Sequence, residues 1–246
     1  MDELEVALSR TAASAAVESI GWRYLLGTLA TSVAVRSFDQ ALWVAAEAVG
    51  AIGPDADDHL RVDLRTDRVE LSLQTRRLGA PTASDVGLAQ RISAAVTPLG
   101  TATDGATSGT LERPVQMLEL AIDGLDIPAI RPFWKAVLAY SDDPGETGPN
   151  AAIVDPTGQL PTIWFQQMDA PRPQRNRVHF DVTVAHDEAE ARVAAALTAG
   201  GVLVDDSFAR SFWVLADVEG NEVCVCTWTD RDERDAAREA ASPPTV

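Results

Sequence analysis

Cysteine is nearly absent from this 246-residue chain: only Cys224 and Cys226 occur. Two thiols one residue apart sit too close for an ordinary disulfide, so no covalent staple is expected. If the pair lies on a strand, both thiols point to one face. Without further Cys or a local His cluster, they make no metal motif of their own. Positive charge is the next shortage, with 20 Lys and Arg against 37 Asp and Glu and a net charge of −17. So acidic a surface repels phosphate backbones and anionic lipid, so neither nucleic acid nor membrane is an expected partner. No apolar run approaches the roughly 20 residues of a membrane-spanning helix. The opening MDELEVALSR is acidic, without the basic and apolar regions of a secretory signal, so a cytoplasmic location is expected. P-loop and Gly-x-Gly-x-x-Gly fingerprints are missing, and nothing points to a nucleotide cofactor.

The 46% hydrophobic and 23% charged residues that are present belong to a globular protein. The length suits two domains of roughly 100–150 residues. Residues 100–110 are Gly, Thr, Ser, Ala and Asp without apolar period and read as a linker. The expected division is a first domain over 1–100, a linker over 101–112, a second domain over 113–230 and a flexible tail over 231–246.

In the first segment, 3–19 reads as a helix and 24–35 as a bent pair of strands. Ser37-x-x-Gln40 has the form of a capping box, and the apolar residues Leu42, Val44, Ala45 and Val49 follow it. Val69, Leu71 and Leu73 alternate with polar residues as in a half-buried strand, and Thr82 to Asp85 cap a last helix. The second segment holds an internal repeat. A strand over 115–122, a helix over 128–138 and strands over 151–154 and 162–167 are followed by the same order again. The second round is a strand over 178–184, a helix over 187–199 and strands over 202–204, 212–216 and 222–228.

That repeat, with Phe133-Trp134-Lys135-Ala136-Val137-Leu138, Arg177-Val178-His179-Phe180-Asp181-Val182 and Asp217-Val218-Glu219-Gly220-Asn221, resembles the glyoxalase-like members of the vicinal-oxygen-chelate superfamily. The resemblance implies two βαβββ modules curled into a cup. Its candidate ligand-binding residues are Glu119, Trp164, Gln166, His179 and Cys224, with Phe165, Phe212 and Trp213 as further aromatic lining. A divalent metal in the cup is what many relatives hold. Here Cys224 stands where an acidic ligand is usual, the donor set mixes hard and soft atoms, and no metal ligand is assigned.

Residues 20–97 resemble pterin-4a-carbinolamine dehydratase (4a-hydroxytetrahydrobiopterin dehydratase). The likeness rests on Gly21-Trp22, the 38–48 helix, Val62 to Arg65 with Arg68-Val69, and Thr75 to Asp85 with Gly79 and Thr82. That family dehydrates its substrate with a His-His-Pro turn and a third His. The corresponding positions here are Asp58-His59-Leu60 and Arg76, so one His remains, and Arg76 cannot act as a base. Residues 50–57 read as a loop longer than the family's.

The expected fold class is therefore α+β, a dehydratase-like α/β sandwich followed by a glyoxalase-like domain of two βαβββ modules. The resemblance implies a small-molecule ligand, a pterin or another flat ring, with Asp58, His59 and Arg76 as catalytic candidates. Three readings stay open: dehydratase-like chemistry, retained or altered; a lyase or isomerase reaction in the cup; and a non-catalytic binding or dimerisation role. A monomer and a homo-oligomer are equally open.

Overall fold

Ser9 decides where the chain first becomes helical. Its hydroxyl accepts from the Ala12 N–H at 3.2 Å, so α1 runs over Arg10–Val17. The expected helix over 3–19 begins later because Ala7 bridges Thr82 and Leu8 N donates to the Pro81 carbonyl, which holds this stretch extended. The computed structural model describes residues 6–105, 114–171 and 178–233. Linker residues 106–112, Arg177 and tail residues 234–246 lie outside the described residues.

The chain folds as two units that part between Leu118 and Glu119. In the first, β1 (Arg23–Leu25) and β2 (Thr28–Ala34) form a hairpin, and β3 (Leu60–Leu64) and β4 (Arg68–Leu73) a second. The antiparallel sheet runs β1-β2-β4-β3. Helices α2 (Phe38–Ile52), the single turn α3 (Ala56–His59) and α4 (Ala83–Val96) complete the domain. Trp22, Leu29, Val33, Val44, Leu71, Leu88 and Ile92 share one core with α1, α2 and α4. Val69, Leu71 and Leu73 are buried and alternate with half-buried Arg68, Glu70 and Ser72, as the period of two demands.

Three expectations need correction. Ser37 caps α2 by accepting from Gln40 N, but the Gln40 side chain accepts from Arg36 N, one residue ahead of the cap, so the box is incomplete. Among the apolar residues of α2, Val44 is buried, while Leu42 is 46% and Val49 44% exposed; at about 100° per residue these two fall on the outer face. Residues 50–57 are largely helical, because α2 continues to Ile52 and a 3-10 turn over Gly53–Asp55 leads into α3. The expected linker also begins too early. β5 (Thr103–Asp104) pairs with β2, and the Thr103 hydroxyl donates to the Ile20 carbonyl at 2.7 Å.

The same contact explains Gly21. With φ at +79°, an added Cβ would lie 2.0 Å from the Thr103 carbonyl oxygen. Gly21→Ala is expected to destabilise the first domain by about 1–3 kcal/mol, read as a lower melting temperature.

The second unit repeats one pattern twice. β6 (Glu119–Gly124), α5 (Ile127–Leu138), β7 (Ser141–Asp142), β8 (Ile153–Val154) and β9 (Thr162–Gln167) form a sheet in the order β6-β9-β8-β7. β10 (Asp181–Thr183), α6 (Ala189–Thr198), β11 (Val202–Asp205), β12 (Phe212–Ala216) and β13 (Glu222–Cys226) form the equivalent order β10-β13-β12-β11. In each module the first and last strands are parallel neighbours. The fold is thus α+β with two βαβββ modules in its second domain. Ile130, Phe133 and Trp134 of α5 and Val193 of α6 share a core with Leu215 and Val225.

An Asp-x-x-Gly turn closes each module. Asp155 accepts from the hydroxyl and N–H of Thr157 and from the N–H groups of Gln159 and Leu160. Burial pushes its carboxyl up, but these bonds outweigh burial and hold it below the usual carboxylate range. Asp217 accepts from the N–H groups of Glu219 and Asn221, and the Asn221 side chain returns to it at 2.9 Å. Among the described residues, no helix is long and apolar enough to cross a membrane.

Candidate active site

His59 ends α3 and faces a pocket of about 230 Å³ lined by Asp58, His59, Thr75, Arg76, Arg77, Thr82 and Ser84. Local folding sets the positions of these side chains. α3 delivers Asp58 and His59, the turn after β4 delivers Thr75 to Arg77, and the start of α4 delivers Thr82 and Ser84. All three catalytic candidates, Asp58, His59 and Arg76, therefore meet at one pocket.

Asp85 orients the imidazole. Its carboxyl is fully buried, and Oδ1 lies 2.8 Å from His59 Nδ1. Oδ2 accepts from the Thr75 hydroxyl at 2.7 Å, the Thr82 N–H at 2.7 Å and the Thr82 hydroxyl at 3.0 Å. Because a carboxylate only accepts, Nδ1 carries the proton, and Nε2 is left as the nitrogen that can take or give one. Among the described residues Nε2 has no hydrogen-bond partner, and the side chain keeps 17% of its surface exposed. Arg76 is held differently: its Nη2 donates to the Leu60 carbonyl at 2.5 Å, at the start of β3. Asp85 is the site residue that sequence reasoning missed. Its place three residues into α4 marks it as a cap, and it is that as well.

Among the residues expected in the cup, Glu119 and Gln166 are not brought together. Glu119 pairs with Thr162, whereas Gln166 pairs with Asp123, four residues further along the parallel strands β6 and β9. At about 3.3 Å per residue, Glu119 and Gln166 are separated by roughly 13 Å along the sheet. Cys224 pairs with Asp181, and His179 precedes that residue by two. The four aromatics divide by strand alternation. Trp164 is 39% exposed, Phe212 is half-buried and stacks on Phe208, while Phe165 and Trp213 pack into the core.

Residues 6–95 match the pterin 4 alpha carbinolamine dehydratase family, and residues 119–226 match the glyoxalase-like domain family. The chain joins a pterin-dehydratase-like domain to a glyoxalase-like domain. A solved transcriptional coactivator/pterin dehydratase from Brucella melitensis is 21% identical, covering 36% of this chain and 97% of its own, with a TM-score of 0.33. A glyoxalase/bleomycin resistance protein/dioxygenase family enzyme from Burkholderia phytofirmans PsJN is 17% identical over 44% of this chain and 95% of its own, with a TM-score of 0.38. A glyoxalase/bleomycin resistance protein from Albidiferax ferrireducens T118 is 18% identical over 44% and 95%, at 0.35. No curated protein matches the chain.

Among the described residues, the glyoxalase-like domain gathers no donor set that fits a divalent metal. Burial, then the carboxylate of Asp181, push the Cys224 thiol from 9.0 up to about 12, so it holds its proton. Burial likewise raises Cys226. Among the described residues no three His, Cys, Asp or Glu side chains gather as a metal site would require. The protonated thiol has two measurable consequences. At pH 8, Cys224 is expected to react with iodoacetamide more than about a hundredfold more slowly than a free cysteine. In the folded domain Cys224 keeps its proton between pH 9.0 and about 12, where the unfolded chain has lost it. Its contribution to stability is therefore complete below pH 9.0 and lost as the pH rises to about 12, and Cys224→Ala flattens that limb of a melting profile.

Proposed function

We propose that the pterin-dehydratase-like domain binds a small bicyclic ring carbinolamine in the pocket around His59 and eliminates water from it. One observation carries this reading: an imidazole lining a pocket, its Nδ1 fixed 2.8 Å from a fully buried carboxylate. Such a pair holds one tautomer and stabilises the imidazolium whenever it forms.

One imidazole suffices for the net reaction. Its Nε2 proton goes to the leaving hydroxyl, the C4a–O bond breaks with its electron pair, and water departs. The ring N–H then returns a proton to the vacated Nε2 as its electrons form the C=N bond, and the imidazolium is restored. Arg76 and Arg77, permanently protonated, take no part in this transfer and act by binding. Thr75 and Thr82 act through Asp85, by satisfying its second oxygen.

The test is the decay of a freshly generated 4a-hydroxytetrahydropterin, followed by ultraviolet absorbance with and without the full chain. Acceleration proportional to protein concentration supports the reading. Decay no faster than in buffer overturns it.

A further inference from the structure

The geometry points to an anionic ligand: the His59 pocket takes a ring that carries a carboxylate or phosphate, and Arg76 is the group that holds it. This deepens the reading above and rests on it for the ring, though not for the anion.

Arg76 occupies the place where the resemblance puts a third proton carrier. A guanidinium cannot exchange a proton near neutrality, so this position is fitted for binding and not for acid–base work. Its Nη2 is committed to the Leu60 carbonyl at 2.5 Å, and among the described residues that is its only hydrogen bond or ion pair. A guanidinium has five N–H donors in a rigid plane. Anchored at one of them beside the pocket, Arg76 presents a fork already oriented for the paired oxygens of a carboxylate or phosphate.

The surroundings carry matching charge. Arg77 and Ser84 share the lining, and Asp58 is the one carboxylate on it, Asp85 being turned to His59 and the threonines. On a chain of net charge −17, a lining with two arginines is a local reversal of sign. The positive end of α4, which begins beyond Thr82, lies on the same wall. At about 230 Å³ the pocket is smaller than drug-sized sites of about 300–1,000 Å³, so the ligand is a compact ring with a short substituent.

The experiment titrates the full chain with four probes: a neutral 6-methylpterin, pterin-6-carboxylate, a phosphorylated 6-hydroxymethylpterin and inorganic phosphate alone. Affinity comes from calorimetry and occupancy from the His59 ring resonance. The charged pterins are expected to bind about 10–100-fold more tightly than the neutral one. Arg76→Gln should abolish that difference, bringing the charged pterins to the affinity of the neutral one, and Arg76→Lys should restore part of it. A preference for one charged pterin over the other identifies the anion as carboxylate or phosphate. Equal affinity for neutral and charged pterins, or an equal loss for all of them in Arg76→Gln, overturns the proposal and leaves the dehydratase reading intact. If no pterin binds but phosphate moves the His59 resonance in an Arg76-dependent way, the anion site stands and the pterin reading falls. Silence from all four probes overturns both.

Discussion

Replacing His59 with alanine is expected to slow dehydration of a 4a-carbinolamine by about 10²–10⁴-fold, the range of a positioned acid–base group. The effect is large because the lining offers no substitute. Arg76 and Arg77 do not release protons, and Thr75, Thr82 and Ser84 are hydroxyls. That leaves Asp58, the one carboxylate on the lining, which is exposed. The variant should fold, since the imidazole, 17% exposed, is not part of the hydrophobic core. Activity and melting temperature measured together separate the two effects; a His59→Ala protein as active as the parent would remove His59 from the chemistry. Asp85→Asn is the companion. It keeps the shape but deprives the imidazolium of its counter-charge, so kcat is expected to fall about 10–100-fold with little change in KM. It also weakens the cap of α4, at a cost of about 1 kcal/mol.

Trp134→Ala is expected to be the most damaging single change in the glyoxalase-like domain, at about 3–5 kcal/mol. The indole is buried to 1% and meets Phe133 and Phe180 edge-to-face, with ring centres 5.4 and 6.2 Å away. Its Nε1 donates to Asp217 at 2.9 Å, joining the helix of the first module to the closing turn of the second. From that turn, Glu219 accepts from the N–H groups of Leu125 and Asp126, and Asn221 donates to the Asp123 carbonyl. Loss of the indole thus opens a cavity and weakens a contact between modules. Trp134→Phe separates these effects: it keeps most of the ring volume and loses only the N–H bond, for about 1–2 kcal/mol. Urea unfolding of the two variants checks the order, and a Phe variant as unstable as the Ala variant would show the hydrogen bond to dominate.

Local pattern was enough for much of this architecture. The apolar period of α5, the alternation of β4 and the twice-repeated βαβββ order are written in neighbouring residues, and neighbours set these elements. β7 escaped notice because a two-residue strand, Ser141–Asp142, has no period to read. β5 escaped because Thr103 is held by a carbonyl more than eighty residues away in sequence, and small polar residues otherwise spell a linker.

The candidate sites divide in the same way. The resemblance to the dehydratase family brought out Asp58, His59 and Arg76, and the fold places all three on one pocket. The glyoxalase-like resemblance nominated Glu119, Gln166, His179 and Cys224. It could not supply the register of β6 on β9, which sets Glu119 and Gln166 four residues apart along the sheet.

By itself, then, the sequence determined the elements and the twice-repeated order of the second domain, because periodicity and turns are properties of the chain in order, and its motifs carried the resemblances that gave each domain its class and pointed to His59. Only the tertiary structure decided that Asp85, 26 residues from His59, is its partner, that Trp134 answers Asp217 across 83 residues, and that burial, with Asp181 beside it, keeps Cys224 protonated. Each of those depends on which side chains burial brings within about 3–4 Å, and no local pattern encodes that distance.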